Sequence, residues 1–201
     1  MGRVAGWPGV DLETTIQQAK ATVLLGLSGQ PGTFTEPVVR ALLPNAQHPV
    51  VFALSNPTSS CEAQPKDILF WTDGRALVAT GSPFAPLTLD GRTHVPGQAN
   101  NAFIFPGMGL GAIVSDAREI TDAMFLAASR AVAASVSAER LRQGALFPPV
   151  SELRTVSCTV AQAVVREARD AGLGRGLRDE QIEPAVDSMM WYPDYVPYVP
   201  A

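Results

Sequence analysis

Three short apolar runs, separated by segments with helical features, constrain the fold of this chain more than any other feature. The runs occupy residues 22–27, 50–54 and 76–80. Each run is continuously apolar rather than alternating, which is typical of strands buried on both faces of a parallel sheet. The helical segments between them supply the crossover connections that parallel strands require. The sequence therefore predicts an α/β fold built on a Rossmann-like, doubly wound parallel sheet.

Local signals place helices between these strands. Helices are predicted at 11–21, 33–43 and 66–71. Asp11 is a suitable N-cap for the first of them. Thr33 and Glu36 have the spacing of a capping box, which predicts that the second helix begins at this pair. An Asp-Gly turn within 87–95, flanked by alternating residues, predicts a small hairpin.

The strand pattern stops after residue 115, and the remainder of the chain has helical periodicity. Helices are predicted at 120–136, 150–171 and 180–191. We therefore expect an α/β part at 1–115 and a helical part at 116–201. The chain ends in an aromatic tail with no period, in which prolines exclude helix. We expect this tail to pack on a neighbouring domain through its bulky apolar side chains, which are Trp191, Tyr192, Tyr195, Val196 and Tyr198.

Composition and charge exclude several classes of protein. The chain is 46% hydrophobic and 17% charged, so it can bury a sizeable core. The net charge of −4 gives no basic footprint for nucleic acid, and no nucleic-acid partner is expected. The longest apolar run, 102–114, is shorter than the roughly 20 residues of a membrane span, so no membrane partner is expected. Cys61 and Cys158 have no pairing or metal-ligand spacing, which favours a reducing cytoplasmic location.

Two glycine-rich segments resemble catalytic or cofactor motifs. Residues 26–30, GLSGQ, approach the G-x-S-x-G nucleophile elbow but lack its last glycine, and His48 and His94 are the available bases. A glycine-rich loop near a ligand is the better interpretation. Residues 107–112, GMGLGA, satisfy G-x-G-x-x-A, but no proper strand precedes them and no acidic residue follows at the required distance. We expect their small residues to pack a helix against a neighbour.

The stretch ALSNPTS at 53–59 ends a buried strand in Asn56 and Pro57. In doubly wound sheets, ligands bind beyond the carboxyl ends of the strands, which is where Asn56 falls. Its carboxamide offers one acceptor and two donors, and Pro57 restricts its backbone to extended conformations. Asn56 alternatively only closes an Asx-turn. The pattern alone leaves both interpretations open. The polar segment 98–101 is a second candidate for contact with a ligand.

Four separated motifs resemble malic enzyme. They are SNPTS at 55–59, ATGSPF at 79–84, PGQANNAFIFPGMGLG at 96–111 and LFPPVSELRTVS at 146–157. In order and spacing they are similar to the carboxyl-terminal portion of the long-form enzyme, and to bacterial members in particular. The resemblance runs from about residue 11 into the aromatic tail. An unrelated Rossmann-like dehydrogenase would require all four matches to be coincidence.

The resemblance implies a function and a set of contacts. Malic enzymes oxidise L-malate with NAD or NADP and decarboxylate the product to pyruvate and CO₂, with Mg or Mn as Lewis acid. By resemblance, Asn56 and one of Asn100 and Asn101 contact malate and nicotinamide. Ser28 and Gly29, in the glycine-rich loop near the ligand, are further candidate cofactor contacts. Residues 1–115 then correspond to the second half of the NAD(P)-binding domain, and 116–201 to the helical carboxyl-terminal segment.

The resemblance also implies what this chain lacks. The family's general acid Tyr, catalytic Lys, acidic metal ligands and GxGxxG loop have no counterparts here, so we predict no catalytic or metal-binding residue in the chain. We expect no activity from the chain alone. The partner implied is the missing amino-terminal part of the enzyme, in cis or in trans, and the complete enzyme is expected to be a homo-oligomer. The alternative is a non-catalytic nucleotide-binding or assembly module, and the sequence leaves NAD versus NADP open.

Overall fold

The computed structural model describes residues 11–193 and residue 195. These residues divide into two compact units, which are considered separately. The first unit contains the described residues up to Asn101 together with Ala133–Glu152. The second contains Ala102–Val132 and the described residues from Leu153 onward. The first unit carries the sheet, and the second is helical.

The α-helices and strands alternate along the first hundred residues. The α-helices are α1 (Leu12–Ala19), α2 (Glu36–Arg40), α3 (Pro65–Trp71), α4 (Phe105–Ser115), α5 (Asp122–Ala134), α6 (Ala138–Arg142), α7 (Leu153–Asp170) and α8 (Asp179–Met189). The strands are β1 (Val23–Gly26), β2 (Val50–Ala53), β3 (Leu77–Thr80), β4 (Leu87–Leu89), β5 (Arg92–His94) and β6 (Gly97–Gln98). The predicted α/β fold is confirmed.

Four of the strands form a parallel sheet in the order β1-β2-β3-β6. Val23 pairs with Val50, and Val50 pairs in turn with Leu77, so the three long strands begin in register. The short strand β6 was not predicted, because two residues carry no detectable period. Strands β4 and β5 form the predicted antiparallel hairpin, with Asp90 and Gly91 both at positive φ in its turn.

The sheet is not covered equally on both faces. In β3 the residues from Val78 to Thr80 are buried, as predicted for a parallel strand. In β1 only alternate residues are buried: Val23 is 49% exposed and Leu25 56%. The prediction that every strand is buried on both faces is therefore wrong for β1. Among the described residues β1 is an edge strand that pairs with β2, and its Val23 and Leu25 side chains lie on a face of the sheet that is left exposed.

The sequence predicted the N-cap of α1 correctly but not that of α2. Asp11 caps α1 as expected, because its carboxylate accepts from the backbone N–H of Thr14 at 2.7 Å. The predicted capping box at Thr33 is wrong. The Thr33 hydroxyl donates to the carbonyl of Gln30 at 3.0 Å, and Thr35 is the N-cap of α2. The N-cap of α2 therefore lies two residues later than predicted, and it makes no side-chain hydrogen bond.

The second unit is organised by the packing of α4 on α7. A Cβ atom at Gly107 would lie 2.6 Å from the carbonyl oxygen of Ser157, and one at Gly111 would lie 2.7 Å from Cβ of Val164. Only glycine allows this approach, which confirms the helix-packing interpretation of the GMGLGA segment. The three predicted carboxyl-terminal helices are present as α5, α7 and α8. No helix in the described part of the chain is both long and apolar enough to cross a membrane.

The beginning of the aromatic tail contacts α7. The Arg154 guanidinium lies 4.8 Å from the ring centroid of Tyr192 and donates to the carbonyl of Trp191 at 2.6 Å. Tyr195 is exposed. Val196 and Tyr198, which also belong to the predicted packing tail, lie outside the described residues.

Candidate ligand site at the carboxyl edge of the sheet

Polar residues follow each strand of the sheet at its carboxyl end. Ser28 and Gly29 follow β1, Asn56 follows β2, Ser82 follows β3, and Asn100 follows β6. Because all four strands are parallel, these loops emerge at one edge of the sheet. The fold thus brings the predicted site residues to the same edge of the first unit.

The side chain of Asn56 is held against the turn that follows β3. The Ser82 hydroxyl donates to Oδ1 of Asn56 at 2.6 Å. A Cβ at Gly81 would lie 2.1 Å from the carbonyl oxygen of Leu54 and within 2.9 Å of both terminal atoms of the Asn56 amide. Gly81 therefore leaves the space in which this amide lies. Asn56 itself is exposed at the surface of the edge.

The same turn is joined to β6. The backbone N–H of Ala99 donates to the carbonyl of Thr80 at 2.8 Å, and the Gln98 amide donates to the carbonyl of Gly81 at 3.3 Å. Asn100 follows directly and is half-buried, whereas Asn101 begins a 3-10 turn and is exposed. The turn after β3 therefore braces both segments that carry the predicted asparagines.

A buried carboxylate connects the loops after β1 and β2. Glu62 is 0% exposed, and its Oε1 accepts from the N–H and the hydroxyl of Ser28, both at 3.0 Å. Oε1 also accepts from the Ser55 hydroxyl at 2.5 Å, and Oε2 accepts from the Ser55 N–H at 3.3 Å. The Ser55 hydroxyl in turn accepts from the N–H of Gly29 at 2.9 Å. Four donors, two from Ser28 and two from Ser55, thus reach this carboxylate from the two loops at the candidate site.

These hydrogen bonds determine the charge of Glu62. Burial raises the pKa of the Glu62 carboxyl, but the hydrogen bonds from Ser55 and Ser28 outweigh burial and hold the pKa below its ordinary value. Oε1 accepts three hydrogen bonds, so a proton on this oxygen would face three donors. Glu62 is therefore an ionised anchor at neutral pH.

The loop after β1 has its backbone donors occupied by the protein. The N–H groups of Ser28, Gly29 and Gln30 donate to Glu62, Ser55 and the Ser28 hydroxyl respectively. The loop is thus not a phosphate cradle of the kind that glycine-rich motifs form with free N–H groups. A Cβ at Gly29 would meet no atom within 4 Å, so the loop instead presents an open surface beside the edge.

The nucleophile elbow suggested by GLSGQ is not assembled. The Ser28 hydroxyl donates to a carboxylate, not to an imidazole. His48 precedes β2, at the amino edge of the sheet, where its Nδ1 lies 3.1 Å from the carbonyl of Arg75. His94 lies on β5 beside Gly74. Neither histidine is at the edge that carries Ser28.

A cavity of about 430 Å³ opens beyond the same edge, a size typical of small-molecule sites. Its lining comes from the segments that follow β1 and β2, and includes Pro31, Phe34, Thr58, Cys61, Glu62 and Trp71. Among the described residues, no group of three His, Cys, Asp or Glu side chains is arranged to hold a metal ion. The described residues therefore do not fit a complete metal site.

Sequence patterns missed Ser55, Glu62 and Ser82. Ser55 and Ser82 lie inside the SNPTS and ATGSPF motifs, so the motifs contained a signal for them. No sequence signal pointed to Glu62, because its partner Ser28 lies 34 positions earlier in the chain.

The sequence matches one protein family. Residues 2–169 match the family model described as malic enzyme, NAD binding domain. The chain is 46% identical over 189 residues to the NAD-dependent malic enzyme of Sodalis glossinidius (strain morsitans), covering 94% of this chain and 34% of that protein. It is 43% identical over 201 residues to the NAD-dependent malic enzyme of Aeromonas salmonicida (strain A449), covering 98% of this chain and 36% of that protein.

Solved structures agree with these matches. The malic enzyme from Pyrococcus horikoshii superposes with a TM-score of 0.67 at 26% identity, covering 88% of this chain and 36% of that chain. The NAD-dependent malic enzyme from Thermotoga maritima superposes with a TM-score of 0.57 at 27% identity, covering 78% of this chain and 35% of that chain. The chain spans about a third of the length of the curated relatives it matches.

Proposed function

Because this chain belongs to the malic enzyme family, we propose that it supplies the carboxyl edge of the cofactor domain in an NAD-linked malic enzyme. The reaction is the oxidation of L-malate at C2 and its decarboxylation to pyruvate and CO₂, with reduction of NAD. The role of this chain is to bind and orient malate and nicotinamide. In this proposal, residues 1–115 complete the cofactor domain and 116–201 form the helical carboxyl-terminal segment.

The observation that carries the proposal is the arrangement of Asn56 on the turn after β3. The side chain is exposed at the carboxyl edge, and the Ser82 hydroxyl holds it in place at 2.6 Å. The same turn is bonded to the segment that leads into Asn100 and Asn101. Carboxamides at this edge suit the carboxylate and hydroxyl of malate and the carboxamide of nicotinamide.

We propose NAD rather than NADP, since the relatives at 46% and 43% identity are named NAD-dependent enzymes. Ser28 and Gly29 would contact the cofactor through their exposed surface and backbone carbonyls, because their N–H groups are used within the protein. A bound Mg or Mn ion would supply Lewis-acid chemistry, with ligands from outside the described residues. We place the enzyme in the cytoplasm, which suits the two free cysteines.

The free edge of β1 is the proposed docking position for the rest of the enzyme. Among the residues that the structure describes, β1 pairs with β2 on one side only, and Val23, Leu25 and Leu27 are 49%, 56% and 75% exposed. An apolar strand edge of this kind favours pairing with another strand. The occupant is a strand from the remaining two-thirds of a malic enzyme, in the same polypeptide or in a separate one. The complete enzyme is then expected to form a homo-oligomer.

A chimaera tests the proposed function. The matching 189 residues of the Sodalis glossinidius enzyme are replaced by this chain, and NADH formation from L-malate is measured with Mn²⁺. We expect the chimaera to turn over malate, and the chimaera carrying Asn56→Ala to lose most of its kcat/KM. The isolated chain, without the other two-thirds, should form no NADH.

The outcomes separate the enzyme from a non-catalytic module. A chimaera that folds and oligomerises but forms no NADH would favour an assembly role for this chain. Unaltered kinetics after Asn56→Ala would mean that Asn56 only closes a turn and does not contact the ligand. Turnover by the isolated chain would show that the missing groups are not required.

A further inference from the structure

Ser82 occupies a position from which it can determine how Asn56 meets a ligand. Its hydroxyl is the group that contacts the amide of Asn56, across 26 positions of sequence. Ser82 is buried, with 9% of its surface exposed, whereas Asn56 is exposed. The pair therefore joins a shielded hydroxyl to a side chain that solvent and ligands can reach.

The backbone of Ser82 is fixed by its neighbours. The Thr80 hydroxyl donates to the Ser82 carbonyl at 2.8 Å, and Thr80 itself accepts from Ala99 on the segment after β6 at 2.8 Å. Ser82 is thus held on a turn tied to two strands. The backbone therefore places the Ser82 side chain next to Asn56, and the hydrogen bond to Oδ1 holds its hydroxyl there.

Packing alone does not distinguish the two ends of the Asn56 amide. A Cβ at Gly81 would lie 2.8 Å from Nδ2 and 2.9 Å from Oδ1, so the amide lies flat on the glycine with both ends equally close. Nitrogen and oxygen have nearly the same size, and a rotation of the amide would leave these contacts unchanged. The orientation has to be decided by hydrogen bonding.

The hydrogen bond donated by the Ser82 hydroxyl determines the orientation of the Asn56 amide. Within the described part of the chain, Oδ1 of Asn56 is the acceptor that this hydroxyl finds. If the amide were rotated, the hydroxyl would accept from Nδ2 and its own proton would lose the Oδ1 acceptor that it now has. Losing this part-buried hydrogen bond is unfavourable. Oδ1 therefore faces Ser82, and Nδ2 faces outward.

We propose that Ser82 is a positioning residue that makes Asn56 a hydrogen-bond donor toward the ligand. Nδ2 of Asn56 has no acceptor among the described residues, so its N–H groups are available. The matching ligand group is an acceptor oxygen, and a carboxylate is the strongest of these. The orientation stands on the structure, and the carboxylate rests on the proposed function.

The orientation is tested by NMR on the 201-residue chain labelled with ¹⁵N. Ser82→Ala removes the hydroxyl, and Ser59→Ala is the matched control, because Ser59 is an exposed serine near Asn56. We expect the Asn56 side-chain amide to be rigid in the wild type and in Ser59→Ala, and mobile in Ser82→Ala. Nuclear Overhauser contacts from the Asn56 amide protons to the Ser82 β-protons should be weak in the wild type. Strong contacts, or an amide unaffected by Ser82→Ala, would overturn the inference.

The action of Ser82 through Asn56 is tested by a double-mutant cycle in the chimaera. Ser82→Ala is expected to lower kcat/KM for L-malate by about tenfold, as for loss of one positioning hydrogen bond. In the Asn56→Ala background the same substitution should have no further effect. Equal losses in both backgrounds would mean that Ser82 acts through the fold and not through Asn56.

The two tests separate this inference from the proposed function. If Asn56→Ala leaves malate turnover unchanged, the proposed contact fails while the NMR orientation still decides the role of Ser82. If Asn56→Ala abolishes turnover and Ser82→Ala leaves it intact, the proposed function stands and the positioning role is excluded.

Discussion

Oε1 of Glu62 accepts hydrogen bonds from both the backbone N–H and the hydroxyl of Ser28, each at 3.0 Å. The two residues lie 34 positions apart, and each belongs to a different loop at the carboxyl edge. Ser55 adds two more donors to the same carboxylate. Four donors from Ser28 and Ser55 therefore hold one buried carboxylate between the loops that follow β1 and β2.

Glu62→Gln should destabilise the chain. The glutamine keeps one acceptor oxygen, but it loses the charge and places an N–H₂ group opposite the Ser55 N–H. We expect the free energy of unfolding to fall by about 2 kcal/mol, the scale of a disrupted buried hydrogen bond to a charged group. Urea unfolding measures the change. Glu152→Gln, at an exposed position in the same unit, is the control and should leave the stability unchanged.

The contribution of Glu62 should disappear in acid. Burial raises the pKa of Glu62, but the hydrogen bonds from Ser55 and Ser28 lower it by more, so the folded pKa lies below the ordinary value of 4.5. A lowered folded pKa stabilises the native state above the unfolded pKa, and this stabilisation is lost as pH falls through the folded pKa. The stability difference between wild type and Glu62→Gln should be constant near neutral pH and shrink below about pH 4. A difference that grows on acidification would contradict this sign.

Alanine substitutions in α4 should have opposite effects at neighbouring glycines. A Cβ at Gly111 would lie 2.7 Å from Cβ of Val164, whereas a Cβ at Gly109 would meet nothing within 4 Å. Gly111→Ala should destabilise by about 1–3 kcal/mol through overpacking. Gly109→Ala should stabilise by up to about 1 kcal/mol, because alanine favours helix. Thermal unfolding of both variants tests the pair, and equal destabilisation would argue against the packing explanation.

A charge on the free edge of β1 should reduce self-association of the isolated chain. Leu25 is 56% exposed on this edge strand, and a lysine there opposes strand pairing. Leu25→Lys should shift the chain toward monomer in sedimentation experiments. Phe70→Lys, at a 68% exposed apolar position on α3, is the control. If the control reduces association equally, general hydrophobicity is responsible and not the strand edge.

The strands, the hairpin and the first helix cap could be predicted because the sequence signals for them are local. Continuous apolar runs predicted the parallel strands, and the Asp-Gly turn predicted the hairpin. Asp11 was predicted as a cap because its acceptor and the N–H it binds lie three residues apart. The Thr33 prediction was wrong because its hydroxyl closes a local turn with Gln30, three positions earlier, and the spacing of Thr33 and Glu36 does not distinguish that turn from a capping box.

The sequence by itself determined that Asn56 would lie beyond the carboxyl end of a buried strand, since strand direction and loop position follow from the apolar pattern. Only the tertiary structure decided which end of its amide is held by Ser82, and that Glu62 joins the loops of Ser28 and Ser55. These contacts span 26, 34 and 7 positions and depend on how loops meet after the sheet has formed. Periodicity reports which face a residue occupies, but hydrogen-bond partners across loops depend on three-dimensional distance.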